Sequence, residues 1–196
     1  RRFKQAGKKA RLVNAYGQRY LDRIAARPRL MSTSTHVQLA SGQPLGSMEM
    51  LQKGQALFMD ITHEIMHSVY PQSKQEFPVK DPFERGQHLA WLAKGDDLLL
   101  FEYFLTDKLG HDQDVQHAPR ILHHLEEFLR GIANSLGEND TVIVTSDHGN
   151  FEDMSTGSHT HNPVPLLAAG RGAAGAARLR YLYEIPEWIY ELSGIG

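Results

Sequence analysis

Four short apolar runs along the chain are typical of buried strands. They span residues 11–15, 97–104, 141–146 and 164–169. Runs of this length, continuous rather than alternating, are what a parallel sheet covered on both faces requires. The pattern therefore predicts four buried parallel strands.

A helix is predicted between the second and third runs, in residues 114–137. Apolar side chains recur there at intervals of three and four: Ile121, Leu122, Leu125, Phe128, Leu129, Ile132 and Leu136. This spacing indicates an amphipathic helix that ends near Gly137. Strand, helix and strand in this order predict a parallel crossover unit.

The remaining segments predict shorter helices. The clearest in residues 16–95 are "GQRYLDRIAARP" and "PFERGQHLAWLAKG", and "EIPEWIYELSG" closes the chain with Pro186 in its first turn. We expect an α/β fold, with a mainly parallel sheet flanked by helices and a small helical cap. Residues 1–15 would supply a helix and strand of the core sheet, residues 16–95 the cap or insert, and residues 96–196 an α/β core.

The opening of the chain resembles the middle of a β/α unit. No initiator Met is present, and "GKKARLVNAY" reads as the Gly-terminated end of a helix that runs into a strand. We therefore expect an incomplete domain, the C-terminal part of a longer protein.

Composition narrows the classes of function. The 196 residues include no Cys and 11 His, with a formal net charge of -2. Without thiolates, a metal would be held by carboxylate, imidazole or hydroxyl groups. The near-neutral charge argues against a nucleic-acid binder, and no apolar run approaches the roughly 20 residues that span a bilayer. We expect a cytoplasmic protein that binds neither nucleic acid nor membrane; its oligomeric state stays open.

Polar groups that could perform chemistry lie at the ends of the predicted strands, where open α/β sheets place their functional sites. "LTDKLGHDQD" follows the second strand, and its Asp107 and His111 would share one face of a helix that begins there. "SDHGN" follows the third, where Gly149 permits a turn that directs both Asp147 and His148 into the crevice. "HTHNP" precedes the fourth and carries His159 and His161.

Three motifs in this order, D-x-x-x-H, D-H-G-N and H-T-x-N-P-V-P, are similar to the C-terminal part of the cofactor-independent phosphoglycerate mutases. That family belongs to the alkaline phosphatase superfamily, which also includes the phosphopentomutases. The resemblance implies an alkaline-phosphatase-like fold, a small phosphorylated substrate and two divalent ions, Mn or Zn.

The resemblance also implies how the ligands are divided. Asp107, His111 and His159 match the residues that bind one ion, and Asp147 and His148 match two that bind the other. His161 falls at the variable position of its motif, so we place it outside the ligand set. The remaining acidic residues of the loop, Glu152 and Asp153, are expected to support the site rather than bind an ion.

The nucleophilic Ser or Thr of these families, and one further metal-binding Asp, precede the equivalent of residue 1. We therefore expect a metal-dependent phosphomutase or phosphatase whose nucleophile lies upstream, and the catalytic residue is left unassigned. Two alternatives stay open: a metal-binding relative or scaffold without catalysis, and a hydrolase of sulfate or phosphonate esters.

Overall fold

The computed structural model describes residues 2–196, so Arg1 of the predicted segment 1–15 lies outside it. Within this range the α-helices are α1 (Arg2–Gln5), α2 (Gln18–Ala26), α3 (Thr33–Ala40), α4 (Met48–Gln52), α5 (Glu64–Val69), α6 (Pro82–Ala93), α7 (Leu105–Asp112), α8 (Ala118–Ala133) and α9 (Ile185–Leu192). The strands are β1 (Ala10–Leu12), β2 (Ala15–Tyr16), β3 (Gly46–Ser47), β4 (Leu98–Leu100), β5 (Thr141–Thr145) and β6 (Leu166–Gly170). Short 3-10 helices lie at Pro28–Leu30, Pro71–Lys74, Ala173–Arg178 and Leu182–Glu184.

The predicted helix end at the start of the chain is confirmed. Gly7 follows α1 with a φ of 71°. The Lys8 amide donates to the carbonyl of Phe3 at 2.8 Å, and the Gly7 amide donates to that of Lys4 at 3.2 Å. These two bonds form a Schellman motif, which needs a left-handed residue at the position of Gly7. The chain then enters β1.

The first two predicted strands are shorter than their apolar runs. β1 pairs in parallel with β4, with Ala10 opposite Leu98 and Leu12 opposite Leu100. Beyond Leu100, hydrogen bonds of the Asn14 side chain take the place of backbone hydrogen bonds between the strands. Its Nδ2 donates to the carbonyl of Glu102 at 2.8 Å, and its Oδ1 accepts from the Glu102 amide at 2.9 Å. The run 97–104 therefore stops being a strand at Leu100.

Two further parallel contacts extend this part of the fold. β2 pairs in parallel with β3, and an isolated parallel bridge joins Asn14 to Leu57. Because the ladders are short, the strands form three two-stranded sheets, β1–β4, β2–β3 and β5–β6, rather than one mainly parallel sheet. The α/β character holds, but it rests on small sheets.

The prediction that the last two runs are buried parallel strands is wrong, since the side chains of β5 and β6 are half-buried or exposed. β5 and β6 pair antiparallel, from Thr141 opposite Gly170 to Thr145 opposite Leu166. Parallel pairing needs a crossover, usually a helix, and residues 146–165 contain none. Instead an antiparallel bridge between Gly149 and Thr160 continues the pairing into the loop. Helix α8 is present as predicted, but it leads from β4 to a strand of another sheet.

The main apolar core draws on all three predicted segments. Its buried side chains are Val13, Leu57, Ile61, Leu92, Phe128 and Ile132. Helices α6 and α8 approach closely at Gly86 and Gly131, where a Cβ on either residue would overlap backbone of the other helix. The chain between residues 16 and 95 is mainly helical. The division into a core and a cap remains a prediction.

None of the helices described between residues 2 and 196 has the length and apolar composition needed to cross a bilayer.

Candidate metal centre

Helix α7 places the first two candidate ligands one above the other. It begins at Leu105, soon after β4 ends, so the chain turns directly from a strand end into a helix. Residues four apart share a helix face. The Nε2 atom of His111 accordingly lies 3.4 Å from Oδ1 of Asp107.

The loop between β5 and β6 supplies the other three candidates. Asp147 and His148 follow the end of β5, and His159 lies on the returning limb. The two limbs are joined where the Thr160 amide donates to the Gly149 carbonyl at 2.9 Å. A Cβ at position 149 would overlap the side-chain oxygen of Thr160 on the other limb, so the close approach of the limbs favours glycine there.

Three imidazoles surround one carboxylate oxygen. Oδ1 of Asp107 lies 3.5 Å from Nε2 of His159 and 3.9 Å from Nε2 of His148. The Nε2 atoms of His111 and His159 are 3.1 Å apart. The rings of His148 and His159 stack with centroids 3.5 Å apart and planes inclined by 17°. Asp107, His111 and His159 thus converge on one point, and His148 lies against them.

A hydrogen bond to the backbone orients the His111 ring toward Asp107. Nδ1 of His111 lies 2.8 Å from the carbonyl of Gly157, which can only accept, so the neutral ring carries its proton on Nδ1. Its Nε2 then presents a lone pair to Asp107. Oδ1 of Asp107 is itself buried and, among residues 2–196, receives no hydrogen bond. A buried carboxylate oxygen and an imidazole lone pair facing each other call for a cation.

The spacing of the donor atoms fits such a cation. A tetrahedral ion with ligands at about 2.0–2.1 Å separates its ligand atoms by roughly 3.3 Å. The separations among Asp107 Oδ1, His111 Nε2 and His159 Nε2 are 3.1, 3.4 and 3.5 Å. The bond from His111 to the Gly157 carbonyl is the kind of outer contact that orients ligating histidines in metal sites. These three residues therefore can hold a divalent metal.

The second pair of candidate ligands, Asp147 and His148, lies at the edge of the same cluster. Oδ1 of Asp147 is 3.5 Å from Nε2 of His148, and the Asp147 side chain is 87% exposed. Nδ1 of His148 is buried and has no partner within the described part of the chain. His148 thus lies between the carboxylates of Asp107 and Asp147. The structure brings all five predicted residues into one cluster, with Asp147 open to solvent.

The supporting residues of the loop make well-defined contacts. Glu152 accepts from the Asn150 amide at 2.7 Å, from Nδ2 of Asn162 at 3.0 Å and from the hydroxyl of Thr160. Asp153 accepts from the amide of Ser155 at 3.0 Å, within its own turn. The expectation that Glu152 and Asp153 support the loop agrees with these contacts. His161 is exposed.

The packing of Asn150 could not be predicted from the motifs. This residue is 3% exposed, and in the described chain neither Oδ1 nor Nδ2 of its side chain has a hydrogen-bond partner. Its side chain lies against Gly110, where a Cβ would overlap it. Gly110 stands between Asp107 and His111, so its missing side chain lets the loop approach the helix that carries two ligands. In the sequence, this contact is indicated by Gly110 within the D-x-x-x-H motif.

The carboxylate of Glu152 gives a pH-dependent prediction. The hydrogen bond from the Thr160 hydroxyl is the largest cause that lowers the pKa of Glu152 from 4.5 to about 2. A lowered folded-state pKa means that this contact stabilises the loop above pH 4.5 and is lost as the pH falls toward 2. Thr160→Val should therefore raise the pKa of Glu152 toward its ordinary value, as measured by NMR titration of its carboxyl carbon.

The matched control is Thr156→Val in the same loop, whose hydroxyl accepts from the Ser158 amide instead. It should leave the Glu152 titration where it is. An unchanged titration in Thr160→Val would contradict the assignment of this contact.

Comparisons with known proteins agree with the geometry. Residues 88–185, which include all five candidate ligands, match the model of the metalloenzyme superfamily. The 2,3-bisphosphoglycerate-independent phosphoglycerate mutase of Desulforudis audaxviator is 33% identical over 107 residues, which are 50% of this chain and 21% of that protein. The Dinoroseobacter shibae enzyme of the same name is 30% identical over 168 residues, 76% of this chain and 32% of that protein.

A second kind of relative also matches. The phosphopentomutase of Shewanella woodyi is 33% identical over 82 residues, 41% of this chain and 20% of that protein. The chain thus spans between a fifth and a third of the length of these curated relatives. No solved structure matches significantly. Since the family model covers half of the chain and the region of the histidine and aspartate cluster, the chain belongs to the metalloenzyme superfamily.

Proposed function

We propose that this chain carries the metal-binding part of a phosphoryl-transfer enzyme, a phosphomutase or a phosphatase, that acts on a small phosphorylated substrate. The observation that carries the proposal is the convergence of Asp107, His111 and His159 around a buried carboxylate oxygen without a donor. Support comes from relatives that are named as a phosphoglycerate mutase and a phosphopentomutase.

The ligand assignment follows the cluster. Asp107, His111 and His159 would hold one divalent ion, Mn or Zn, and Asp147 and His148 would contribute to holding a second. When bound, paired divalent ions polarise a phosphoryl group and neutralise charge on the attacking and leaving oxygens. The Asp147 side chain is 87% exposed, so its carboxylate would be accessible to a substrate.

The protein's own groups orient this arrangement. The carbonyl of Gly157 keeps the proton of His111 on Nδ1, so that Nε2 stays available to a ligand. The Thr160–Gly149 bond and the contacts of Glu152 hold the limbs of the loop together, which fixes His159 relative to His148. The nucleophile is not assigned to a residue of this chain.

The proposal is tested by assaying the full-length protein with a generic phosphate ester and Mn or Zn. Turnover is expected, and Asp147→Ala should reduce it by on the order of 100-fold or more, since removal of one charge-stabilising group in a transfer site commonly costs that much. Glu138→Gln, an exposed carboxylate before β5, serves as the control and should retain activity.

Equal turnover by the full-length protein and Asp147→Ala would refute the catalytic role of the cluster. Metal binding without turnover would identify a non-catalytic relative. Turnover of sulfate or phosphonate esters alone would change the substrate class.

A further inference from the structure

A cavity of about 340 Å³ lies between helix α9 and the segment that follows β6. Its volume is within the range of sites that bind small molecules in proteins. Four side chains with polar groups line it: Arg171, Arg178, Trp188 and Glu191. The motifs of the metal centre include none of these residues.

The cavity and the candidate metal centre lie at opposite ends of the β5–β6 pair. Asp147 and His148 follow Thr145, the last residue of β5. The segment that lines the cavity instead follows Gly170, which lies opposite Thr141, the first residue of β5. An extended strand rises about 3.4 Å per residue, so the length of β5 separates the two places by roughly 15 Å. The cavity is therefore distinct from the metal centre.

Two glycines shape the wall of the cavity. A Cβ at Gly172, whose φ is 75°, would overlap Cδ2 of Leu192, and a Cβ at Gly175 would lie 2.6 Å from Nε1 of Trp188. The missing side chains let this segment lie directly against α9. The edge of the indole ring that carries the N–H therefore faces a residue without a side chain.

Trp188 contributes a hydrogen-bond donor that lacks an acceptor. The residue is 2% exposed and lines the cavity, and its indole N–H has no acceptor among residues 2–196. Buried tryptophans usually pair this N–H, because a buried donor without a partner is unfavourable. An oxygen atom of a ligand in the cavity would supply the missing acceptor.

The lining of the cavity also has an excess of positive charge. Arg178 forms an ion pair with Glu191, whereas no carboxylate in the described chain lies within ion-pair distance of Arg171. One nitrogen of Arg171 donates to the carbonyl of Leu192 at 3.1 Å, which leaves most of its N–H donors free. Two guanidinium groups with one carboxylate favour an anionic ligand over a cationic one.

We propose that this cavity is a second ligand site, which binds free inorganic phosphate or the phosphate group of a small molecule. Arg171 and the indole N–H of Trp188 donate to phosphate oxygens, and Arg178 adds positive charge. Three separate donor groups suit the three terminal oxygens of a phosphate group, and guanidinium groups match phosphate in geometry and charge. Binding at this place needs neither a metal ion nor turnover, so the site is independent of the proposed function.

The indole N–H signal of Trp188 in an NMR spectrum reports binding directly. The full-length protein is isotope-labelled at tryptophan, and the signal is identified by its loss in Trp188→Phe. Titration with inorganic phosphate should move this signal to a plateau, because a charged acceptor binds the N–H. The signal of Trp91, which is 63% exposed on α6, should stay in place. Glycerol phosphate is titrated in the same way, and the tighter of the two ligands identifies the source of the phosphate group.

Two variants should change the affinity in opposite directions. Arg171→Gln should raise the dissociation constant for phosphate about tenfold or more, the scale of one lost hydrogen bond to a charged group. Glu191→Gln should lower it about threefold, because an exposed carboxylate no longer repels the ligand. Arg130→Gln is the control, since it removes an exposed arginine of α8 that pairs with Glu127, and it should leave the affinity unchanged.

Asp107→Asn separates this site from the metal centre. The variant lacks the central candidate ligand of the metal, and its Trp188 signal should respond to phosphate as in the unchanged protein. A response lost in this variant would assign the effect to the metal centre and overturn the second site. An absent response in the unchanged protein, or an unchanged affinity in Arg171→Gln, would overturn it as well. Absent turnover of phosphate esters would refute only the proposed catalysis.

Discussion

Asp107→Asn is expected to remove most of the bound metal from the protein. Oδ1 of Asp107 faces the Nε2 atoms of three histidines within 3.9 Å, so it supplies the negative charge at the centre of the cluster. Asparagine keeps the volume of the side chain but replaces that charge with a neutral amide. We expect the metal affinity to fall by on the order of 100-fold or more, measured by elemental analysis after dialysis against a weak chelator.

Thermal unfolding distinguishes lost metal from lost structure. A bound ion stabilises the folded state, and this stabilisation grows with the logarithm of the affinity, so the variant should unfold at a lower temperature than the unchanged protein when metal is present. In excess chelator the two should unfold alike, since the amide can donate to a histidine nitrogen.

The matched control is Asp112→Asn in the same helix, which breaks only an exposed ion pair with Lys108. Surface pairs of this kind contribute little, so metal content and unfolding should stay unchanged. Full metal content in Asp107→Asn would refute the ligand assignment.

Gly86→Ala should destabilise the fold although alanine is the better helix former. A Cβ at this position in α6 would lie 2.9 Å from the amide nitrogen of Ile132 and 3.0 Å from the Cα of Gly131 in α8. Backbone atoms cannot rotate away, so the helices must separate. We expect a net loss of about 2 kcal/mol, because an overpacking cost of about 3 kcal/mol exceeds the gain of about 1 kcal/mol in helix propensity.

Denaturant unfolding measures this loss, and the melting temperature should fall by roughly 4–8 °C. Gly95→Ala is the control, since its Cβ would meet only the carbonyl of Leu92 at 3.6 Å, an ordinary contact. That variant should stay within about 0.5 kcal/mol of the unchanged protein. A Gly86→Ala protein more stable than the original would show that the two helices are not in close contact.

The sequence predicted the helices more accurately than the sheet. The amphipathic pattern of residues 114–137 is determined by one face of one helix, and α8 occupies its centre. Strand pairing depends on partners that are distant in sequence. The apolar run 164–169 carries no information on direction, and the antiparallel pairing of β6 follows from a helix-free loop and the Gly149–Thr160 bridge.

The candidate site was predictable where residues lie close in sequence. Asp107 and His111 are one helical turn apart, so their proximity follows from local geometry. The meeting of His159 with that helix could be expected from the family motifs, but its distance could not. The contact of Asn150 with Gly110 escaped prediction for a different reason, because it joins residues that are distant in sequence and lie in two separate motifs.

The Gly149–Thr160 bridge bears on how an ion would be captured. It ties the limb that carries Asp147 and His148 to the limb that carries His159. These side chains therefore lie beside the helix together, as parts of one closed loop. The entropic cost of ordering the loop is then part of the folding free energy and does not reduce the affinity for an ion. If one of these donors binds an ion, the others would already lie nearby, so the loop would behave as a preorganised chelator.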